Sequence, residues 1–283
     1  MQYSLLSDER FTRGFHLKGL NSIRDGHAPI KAFALSEEAP NWLLCQWNSK
    51  YNLKEGSFVV SKDKYEIFDK SKHLTCYHTQ KLIFDLNALE EYDAPRGVSD
   101  PWPHLLIEQE ITKNNRLCEL ESLIYDGTFR LEILENFMGN QEREHHTTQF
   151  VWVLTLKDDN PASLSYGHFI WVVLPIFDSR YQFSPFFMNQ DTALPDGEFI
   201  YSFSSNTFFK KTLWDKEPTK LHFDLIPHIP TILQAAQSKG YMKGTKLEDL
   251  VVSSTNMGFE ITGTFRCQIS VENLSLTAKR RNK

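Results

Sequence analysis

Two carboxylates stand one residue apart in the stretch SDPWPHLLIEQEI, residues 99–111. Side chains alternate along a β-strand, so Glu108 and Glu110 point to the same side, about 6 to 7 Å apart, and His104 lies on that side too. Two carboxyl groups at about this separation can act as acid and as nucleophile or orienting group in glycoside hydrolysis. The spacing therefore predicts a catalytic group made of Glu108, Glu110 and His104.

Residues close to this strand in sequence complete a surface that could bind sugar. Aromatic rings pack on the apolar faces of pyranose rings, and carboxylates and amides accept hydrogen bonds from hydroxyls. Trp102, Tyr92 and Arg96 supply the aromatic and charged groups of such a surface. We predict these three as substrate-binding residues.

The alternative for the two glutamates is an ordinary solvated sheet surface. The core side of the strand would then be Leu105, Ile107 and Ile111, with Gln109 as a polar exception on that side. The glutamates would pair with lysines or arginines on neighbouring strands. Both interpretations place the two carboxylates on the outer side of the sheet.

A second group of polar residues flanks one long predicted strand, in SYGHFIW and IFDSRYQF. Tyr166, His168 and Arg180 are residue types used by polysaccharide lyases, in which Arg neutralises a uronate and His or Tyr moves the proton. They are further candidates for substrate binding. The alternative, which the sequence favours, is that Tyr166 and His168 end a hairpin and Arg180 pairs with Asp178.

The candidate residues must be positioned by regular secondary structure. The sequence predicts strands and turns along nearly the whole chain. Turn residues such as Asp126-Gly127 and Gly263 separate short apolar runs, which favours an all-β antiparallel sandwich. A short helix is predicted near residues 230–239, because Pro230 can open a helix and Gly240 can end it. We expect a single β-sandwich domain over residues 1–283. The predicted strands are 42–49, 56–69, 73–79, 80–92, 104–111, 118–127, 129–138, 147–157, 168–178, 197–205, 220–227, 250–263 and 265–278.

Two of these strands, 147–157 and 168–178, are apolar on both faces in their middle parts. On the first strand Phe150, Trp152 and Leu154 share one side, and Val151 and Val153 lie on the other. Central strands that are covered on both faces have this pattern. Polar residues then mark the strand ends, where a sandwich can hold a ligand.

The short aromatic-rich strands, the E-x-E strand and the terminal FRCQISVENLSL resemble jelly-roll or concanavalin-like carbohydrate modules. The resemblance implies a β-sandwich that recognises carbohydrate, either as a glycan-cleaving glycoside hydrolase or polysaccharide lyase or as a non-catalytic binding module. Glycosidases of this fold in the laminarinase group carry an E-x-D-x-x-E strand, whereas this chain has EQEIT without a third acid. The resemblance therefore concerns architecture. A structural or protein-interaction sandwich is the third alternative.

Charge and hydropathy argue against several classes of protein. A net charge of −5 and a pI near 6.1 disfavour a nucleic-acid binder, which would carry a basic face. No apolar run approaches the roughly 18 residues of a membrane span, and the start of the chain lacks the apolar segment of a signal peptide. We expect a cytoplasmic protein, unless a leader has been removed. Its expected partner is a carbohydrate ligand, without nucleic acid or membrane, and a homodimer is an open alternative.

The four cysteines are widely spaced and include no C-x-x-C pair. Zinc sites and disulfide scaffolds show tighter spacing, so we expect buried free thiols, with long-range disulfides as the alternative. No metal site or cofactor is predicted, apart from a structural calcium ion that Asp158 and Asp159 could bind. The cysteines are Cys45, Cys76, Cys118 and Cys267.

Overall fold

The computed structural model describes residues 1–19, 29–30, 38–97, 99–113, 115–139, 145–191 and 197–282, and these residues form two β-sheets. Sheet A contains β1 (Gln2–Ser4), β5 (Ser57–Val60), β6 (Lys64–Phe68), β7 (Lys72–Tyr77), β8 (Lys81–Asn87), β10 (Leu120–Asn136), β15 (Thr219–Asp224) and β17 (Phe265–Arg280). Sheet B contains β2 (Phe15–Lys18), β3 (Pro29–Ile30), β4 (Trp42–Cys45), β9 (His104–Glu110), β11 (Thr148–Asp158), β12 (Phe169–Asp178), β13 (Phe187–Asp191), β14 (Glu198–Ser202) and β16 (Leu250–Ile261).

The strand order in sheet A is β15-β10-β17-β8-β7-β6-β5, with β1 beside β17. In sheet B it is β13-β14-β12-β11-β16-β9-β4-β2-β3. Neighbouring strands run antiparallel, except that β2 pairs with β4 and β12 pairs with β14 in parallel. The predicted all-β sandwich is confirmed, with two parallel pairs that the sequence did not indicate.

Apolar side chains from the facing sides of the two sheets form the core. Phe84 of sheet A meets Phe150 of sheet B edge to face, with ring centroids 5.2 Å apart. Tyr125 and Trp152 make the same kind of contact at 4.8 Å. All four side chains are buried, and edge-to-face packing is a preferred arrangement of aromatic rings. The alternation of apolar residues seen in the sequence therefore points into the space between the sheets.

The predicted helix is α2 (Ile229–Ser238), and it packs against β14 and the segment before β16. Pro230 lies in its first turn, and Ile232, Leu233 and Ala236 form its buried side. The chain leaves the helix through Gly240, whose φ of 92° is a conformation that glycine adopts easily. The helix prediction is confirmed within one residue at each end.

Three parts of the strand prediction need correction. Residues 56–69 form a hairpin and not one strand, because β5 and β6 pair antiparallel and the Ser61 amide donates to the Lys64 carbonyl at 2.8 Å between them. Residues 80–92 do not form one strand, because β8 ends at Asn87, whose side chain accepts from the Leu89 amide and opens the short helix α1 (Ala88–Glu91). Residues 118–127 and 129–138 are not two strands joined by a turn. They form most of β10, and Asp126-Gly127 lies at a register shift against β17, which is long enough to pair with the whole strand.

The four cysteines are free. Cys45, Cys76 and Cys267 are buried, whereas Cys118 is exposed, so the expectation that all four are buried is wrong for one of them. Among the described helices, none is long and apolar enough to cross a membrane.

Candidate functional site

The predicted catalytic strand β9 lies near the middle of sheet B, between β16 and β4. We call the side of sheet B that points away from sheet A face B, and the corresponding side of sheet A face A. Leu105 and Ile107 belong to the core, so His104, Leu106, Glu108 and Glu110 lie on face B. The predicted side of each residue on this strand is confirmed.

Glu108 is held by an ion pair that crosses a strand. The Nζ atom of Lys18 on β2 lies 2.8 Å from Glu108 Oε1, and only 9% and 16% of the two side chains are exposed. Cys45 on the intervening β4 donates to the other carboxylate oxygen at 3.8 Å. Burial, and then the nearby Glu108 charge, raises the pKa of the Cys45 thiol. The pairing that the alternative interpretation predicts is present, but it is a largely buried pair and not a solvated one.

Glu110 differs from Glu108, since it is exposed and has no ion pair or hydrogen bond with the described residues. It lies opposite Ser254 of β16. Gln109, the polar exception on the core side, binds the backbone of Ser7: its Nε2 donates to the carbonyl at 2.8 Å and its Oε1 accepts from the amide at 2.6 Å. Gln109 therefore fastens the N-terminal segment to β9.

His104 stands between two tryptophans. Its ring lies 6.0 Å from that of Trp102 and 5.6 Å from that of Trp47, and the ammonium of Lys18 lies 5.4 Å from the Trp47 ring. The Nδ1 atom of His104 and both indole nitrogens are buried without a hydrogen-bond partner in the described part of the chain. The structure thus brings the predicted His104 and Trp102 together, and adds Trp47, which sequence reasoning missed because it follows β4, far from β9 in sequence.

The side chains of Tyr92 and Arg96 make contacts within the protein that stabilise the segment before β9. The Tyr92 hydroxyl donates to the carbonyl of Ile261 at 2.7 Å, and burial raises the pKa of this tyrosine. The Arg96 guanidinium lies 5.1 Å from the Tyr92 ring centroid, and its Nε donates to the Pro101 carbonyl at 2.8 Å. These contacts fasten the segment before β9 to the end of β16, and they engage the hydroxyl of Tyr92, which the sequence predicted as a substrate-binding residue.

The residues of the predicted lyase group are separated. His168 Nδ1 lies 3.1 Å from Glu198 Oε1 at the start of β12, and Tyr166, 53% exposed, lies on the hairpin before it. Arg180 lies beyond the other end of β12, about 30 Å away by strand rise, where Nη2 contacts Asp178 Oδ2 at 2.6 Å. The alternative that paired Arg180 with Asp178 is confirmed. A lyase centre built from these three residues is not assembled.

An aromatic cluster occupies the other half of face B. Phe169 and Trp171 on β12 pack edge to face with centroids 4.8 Å apart, and both are half-buried. The indole Nε1 of Trp171 donates to Asp191 Oδ2 at 3.0 Å, which fixes the orientation of the ring. Sequence reasoning placed these rings on a strand without giving them a role. The signal was their alternation with the core residues Ile170 and Val172.

Between the two aromatic groups face B is aliphatic. Leu106, Val151 and Val153 are buried, although they lie on the side away from the core. Gly258, opposite Leu106, has a φ of 152°, and a Cβ atom there would lie 2.1 Å from the Leu105 carbonyl oxygen. Glycine is required at this position because β16 and β9 approach each other so closely.

The carboxylates proposed for calcium have protein partners. Asp158 is fully buried, and its Oδ2 accepts hydrogen bonds from the hydroxyls of Ser163 and Thr245, both at 2.6 Å. Asp159 lies 3.6 Å from Arg116. The described residues contain no group of three or more side chains that could hold a metal ion. The Asp158 carboxylate fastens the β11–β12 hairpin to the loop before β16.

No protein-family model and no curated protein sequence matches the chain. Among solved structures, a family 12 xyloglucanase from Bacillus licheniformis in complex with ligand is similar at 12% identity and a TM-score of 0.48, over 81% of this chain and 98% of that one. An endoglucanase from Rhodothermus marinus is similar at 10% identity and a TM-score of 0.44, over 80% of this chain and 96% of that one. A family 11 xylanase from Neocallimastix patriciarum is similar at 8% identity and a TM-score of 0.44, over 79% of this chain and 95% of that one.

Proposed function

We propose that this chain is a carbohydrate-recognising β-sandwich that binds glycan on face B. The observation that carries the proposal is one row of side chains across four neighbouring strands. Glu110 lies opposite Ser254, Ser254 opposite Thr155, and Thr155 opposite Trp171. Three strand spacings make the row about 14 Å long.

The chemistry of this row suits a sugar. An indole ring offers an apolar surface to a pyranose ring, and the Glu110 carboxylate accepts hydrogen bonds from hydroxyls. The hydroxyls of Thr155 and Ser254, 2.7 Å apart, lie between them and can both donate and accept. Because Asp191 and Phe169 already fix the Trp171 ring, binding would cost little side-chain entropy at that residue.

Glycoside hydrolysis on the same face is the second candidate, and the difference between the two glutamates favours it. Glu108 is ion-paired with Lys18, whereas Glu110 is exposed on the same side, about 6 to 7 Å away by strand rise. In this version Glu110 donates the proton to the leaving oxygen and the Glu108 carboxylate stabilises the developing positive charge or attacks the sugar. One oxygen of Glu108 is held by Lys18, which makes binding the better supported function.

The test is to incubate the protein with a panel of polysaccharides and oligosaccharides, to read binding by thermal shift and products by mass spectrometry. We expect thermal stabilisation by at least one sugar. The Trp171→Ala variant should lose it, and Tyr77→Ala, a matched half-buried aromatic on face A, should keep it. New fragments that disappear with Glu110→Gln would establish hydrolysis. If no sugar stabilises or is cleaved, the proposal is wrong and the protein-interaction alternative gains support.

A further inference from the structure

We propose that the ligand of face B is an amphipathic glycoconjugate, a sugar joined to an alkyl or aryl group. Its sugar would lie over β9, β16, β11 and the Trp171 ring of β12, and its apolar part over Val173 of β12 and over β14 and β13. This inference rests on the proposed glycan binding and names the chemical class of the ligand. It starts from the change in polarity across the sheet.

The row that carries the proposed function becomes apolar on its far side. Beyond Trp171 the next residue in register is Ile200 of β14. In the adjacent row Val173 of β12 lies opposite Ser202, and Ser202 lies opposite Phe187 of the edge strand β13. The three polar positions and the Trp171 ring are thus followed by apolar surface from Ile200, Val173 and Phe187. Ser202 is buried and adds no surface, and Asn189, opposite Ile200 on β13, is an exposed polar residue at the edge of the sheet. Ile200 and Val173 are half-buried, and Phe187 is 46% exposed.

A ligand that carries only hydroxyl groups does not explain the apolar residues on the β12, β14 and β13 side of face B. Branched aliphatic side chains neither hydrogen-bond a sugar nor present a flat ring to it, but they stabilise any apolar group that they remove from water. Contiguous exposed apolar surface on a soluble protein commonly marks a binding site. The patch made by Val173, Ile200 and Phe187 begins beside Trp171, where the polar row ends, so one ligand with a polar and an apolar part fits both.

Charge along the boundary agrees with an uncharged apolar group. The Glu108 carboxylate, in the row of Val153 and Val173, is balanced by Lys18 at 2.8 Å. Asp191, the acid next to Trp171, accepts from the indole. The aliphatic part of face B therefore contains no carboxylate of the described strands that lacks a partner, and a positively charged tail would gain no ion pair with a carboxylate there.

The experiment measures the affinity of n-alkyl β-glucosides from methyl to octyl, below their micelle-forming concentrations, with the matching n-alcohols as sugar-free probes. We expect affinity to rise with chain length, by up to about threefold to fourfold for each methylene that is fully buried, and to exceed that of the alcohols. Phe187→Ser and the milder Val173→Thr should flatten the dependence on chain length. Phe58→Ser is the matched control, because Phe58 is 41% exposed on β5, the edge strand of sheet A.

Each other outcome counts against the inference in a distinguishable way. Sugars of the panel that bind while chain length has no effect would overturn the inference and leave the proposed function standing. Equal binding of alcohols and glucosides, with no binding of the panel, would overturn both. Concentration-dependent dimerisation that Phe187→Ser abolishes, measured by sedimentation without ligand, would assign the patch to a second copy and overturn the inference. A flattened slope in Phe58→Ser as well would show that the effect is not specific to face B.

Discussion

The two outer faces of this sandwich carry different chemistry. On face A, oppositely charged side chains pair within and between strands: Arg266 with Asp85, Lys81 with Glu272, and Lys64 with Glu66, each at 2.9 Å. Face B carries aromatic rings and branched aliphatic side chains in the same kind of position. An antiparallel sheet commonly exposes one face to water and covers the other. In this sandwich each sheet covers the core with one face only. The apolar composition of face B, which points away from the core, is what the proposed ligand site explains.

The ion pairs of the two faces also differ in burial. Lys81 and Glu272 on face A are 31% and 44% exposed, whereas Lys18 and Glu108 on face B are nearly enclosed. An exposed pair contributes about 0 to 1 kcal/mol, and the loss of one partner is compensated by water. The loss of one partner from a buried pair leaves an uncompensated charge and is far more costly. The comparison therefore predicts effects of very different size for similar substitutions.

The largest effect should come from Lys18→Met. It leaves the Glu108 carboxylate buried without its partner, so we expect unfolding in urea at pH 7 to show a loss of about 3 to 5 kcal/mol. Lys81→Met on face A should cost less than about 1 kcal/mol. The double variant Lys18→Met/Glu108→Leu should recover most of the loss. Equal losses in the two single variants would remove the difference between the faces.

A pair of glycines should give the next largest difference. Gly258→Ala on β16 places a Cβ 2.1 Å from a backbone oxygen at a φ of 152°, so we expect a loss of roughly 2 to 3 kcal/mol, in the upper part of the range for strained backbone. Gly127→Ala in sheet A places a Cβ 3.2 Å from the Phe129 ring and 3.9 Å from the Glu272 carbonyl oxygen, which is an ordinary contact distance. Its loss, measured by the same urea titration, should be smaller. A tolerated Gly258→Ala would show that β9 and β16 can separate.

The effect of pH on face A should be small. The hydrogen bond from Lys64, helped by His73, lowers the pKa of Glu66. A lowered native pKa contributes stability at neutral pH, and this contribution disappears as the pH falls through and below the ordinary glutamate pKa of about 4.3. We expect Glu66→Gln to cost less than about 1 kcal/mol at pH 7, and its difference from the wild type to vanish in acid. A constant difference at all pH values would assign the effect to packing.

The last prediction concerns the reactivity of the four cysteines and needs no substitution. Only Cys118 is exposed, whereas burial raises the pKa values of Cys45, Cys76 and Cys267. Titration of the unreduced native protein with a thiol reagent should find one reactive thiol. After unfolding in denaturant it should find four. A lower number after unfolding would show a disulfide.

The sequence predicted those features that depend on local pattern. Alternation fixed which side of β9 carries Glu108 and Glu110, and Pro230 and Gly240 marked the ends of α2. The sequence analysis missed features that depend on contacts between residues far apart in the chain. The Lys18–Glu108 pair joins residues 90 positions apart across an intervening strand, and β10 continues through Asp126-Gly127 because β17 pairs with its whole length.

The candidate site was predicted less well than the fold, for a similar reason. The grouping of Tyr92, Arg96 and Trp102 followed their proximity in sequence, but the hydroxyl of Tyr92 binds the end of β16. Tyr166 and Arg180 flank one strand and so lie at opposite ends of it. Trp171 lies on another strand and Trp47 in the turn after β4, and the strand order of sheet B brings them to the same face as Glu110.

The central claim is that face B, and not face A, binds glycan. The most direct test is isothermal titration calorimetry of the sugar that gives the largest thermal shift, with the wild type, Trp171→Ala and Tyr77→Ala. We predict that Trp171→Ala lowers the affinity at least tenfold, about 1.4 kcal/mol, and that Tyr77→Ala leaves it within twofold of the wild type. Wild-type affinity in Trp171→Ala, or a loss confined to Tyr77→Ala, would contradict the claim.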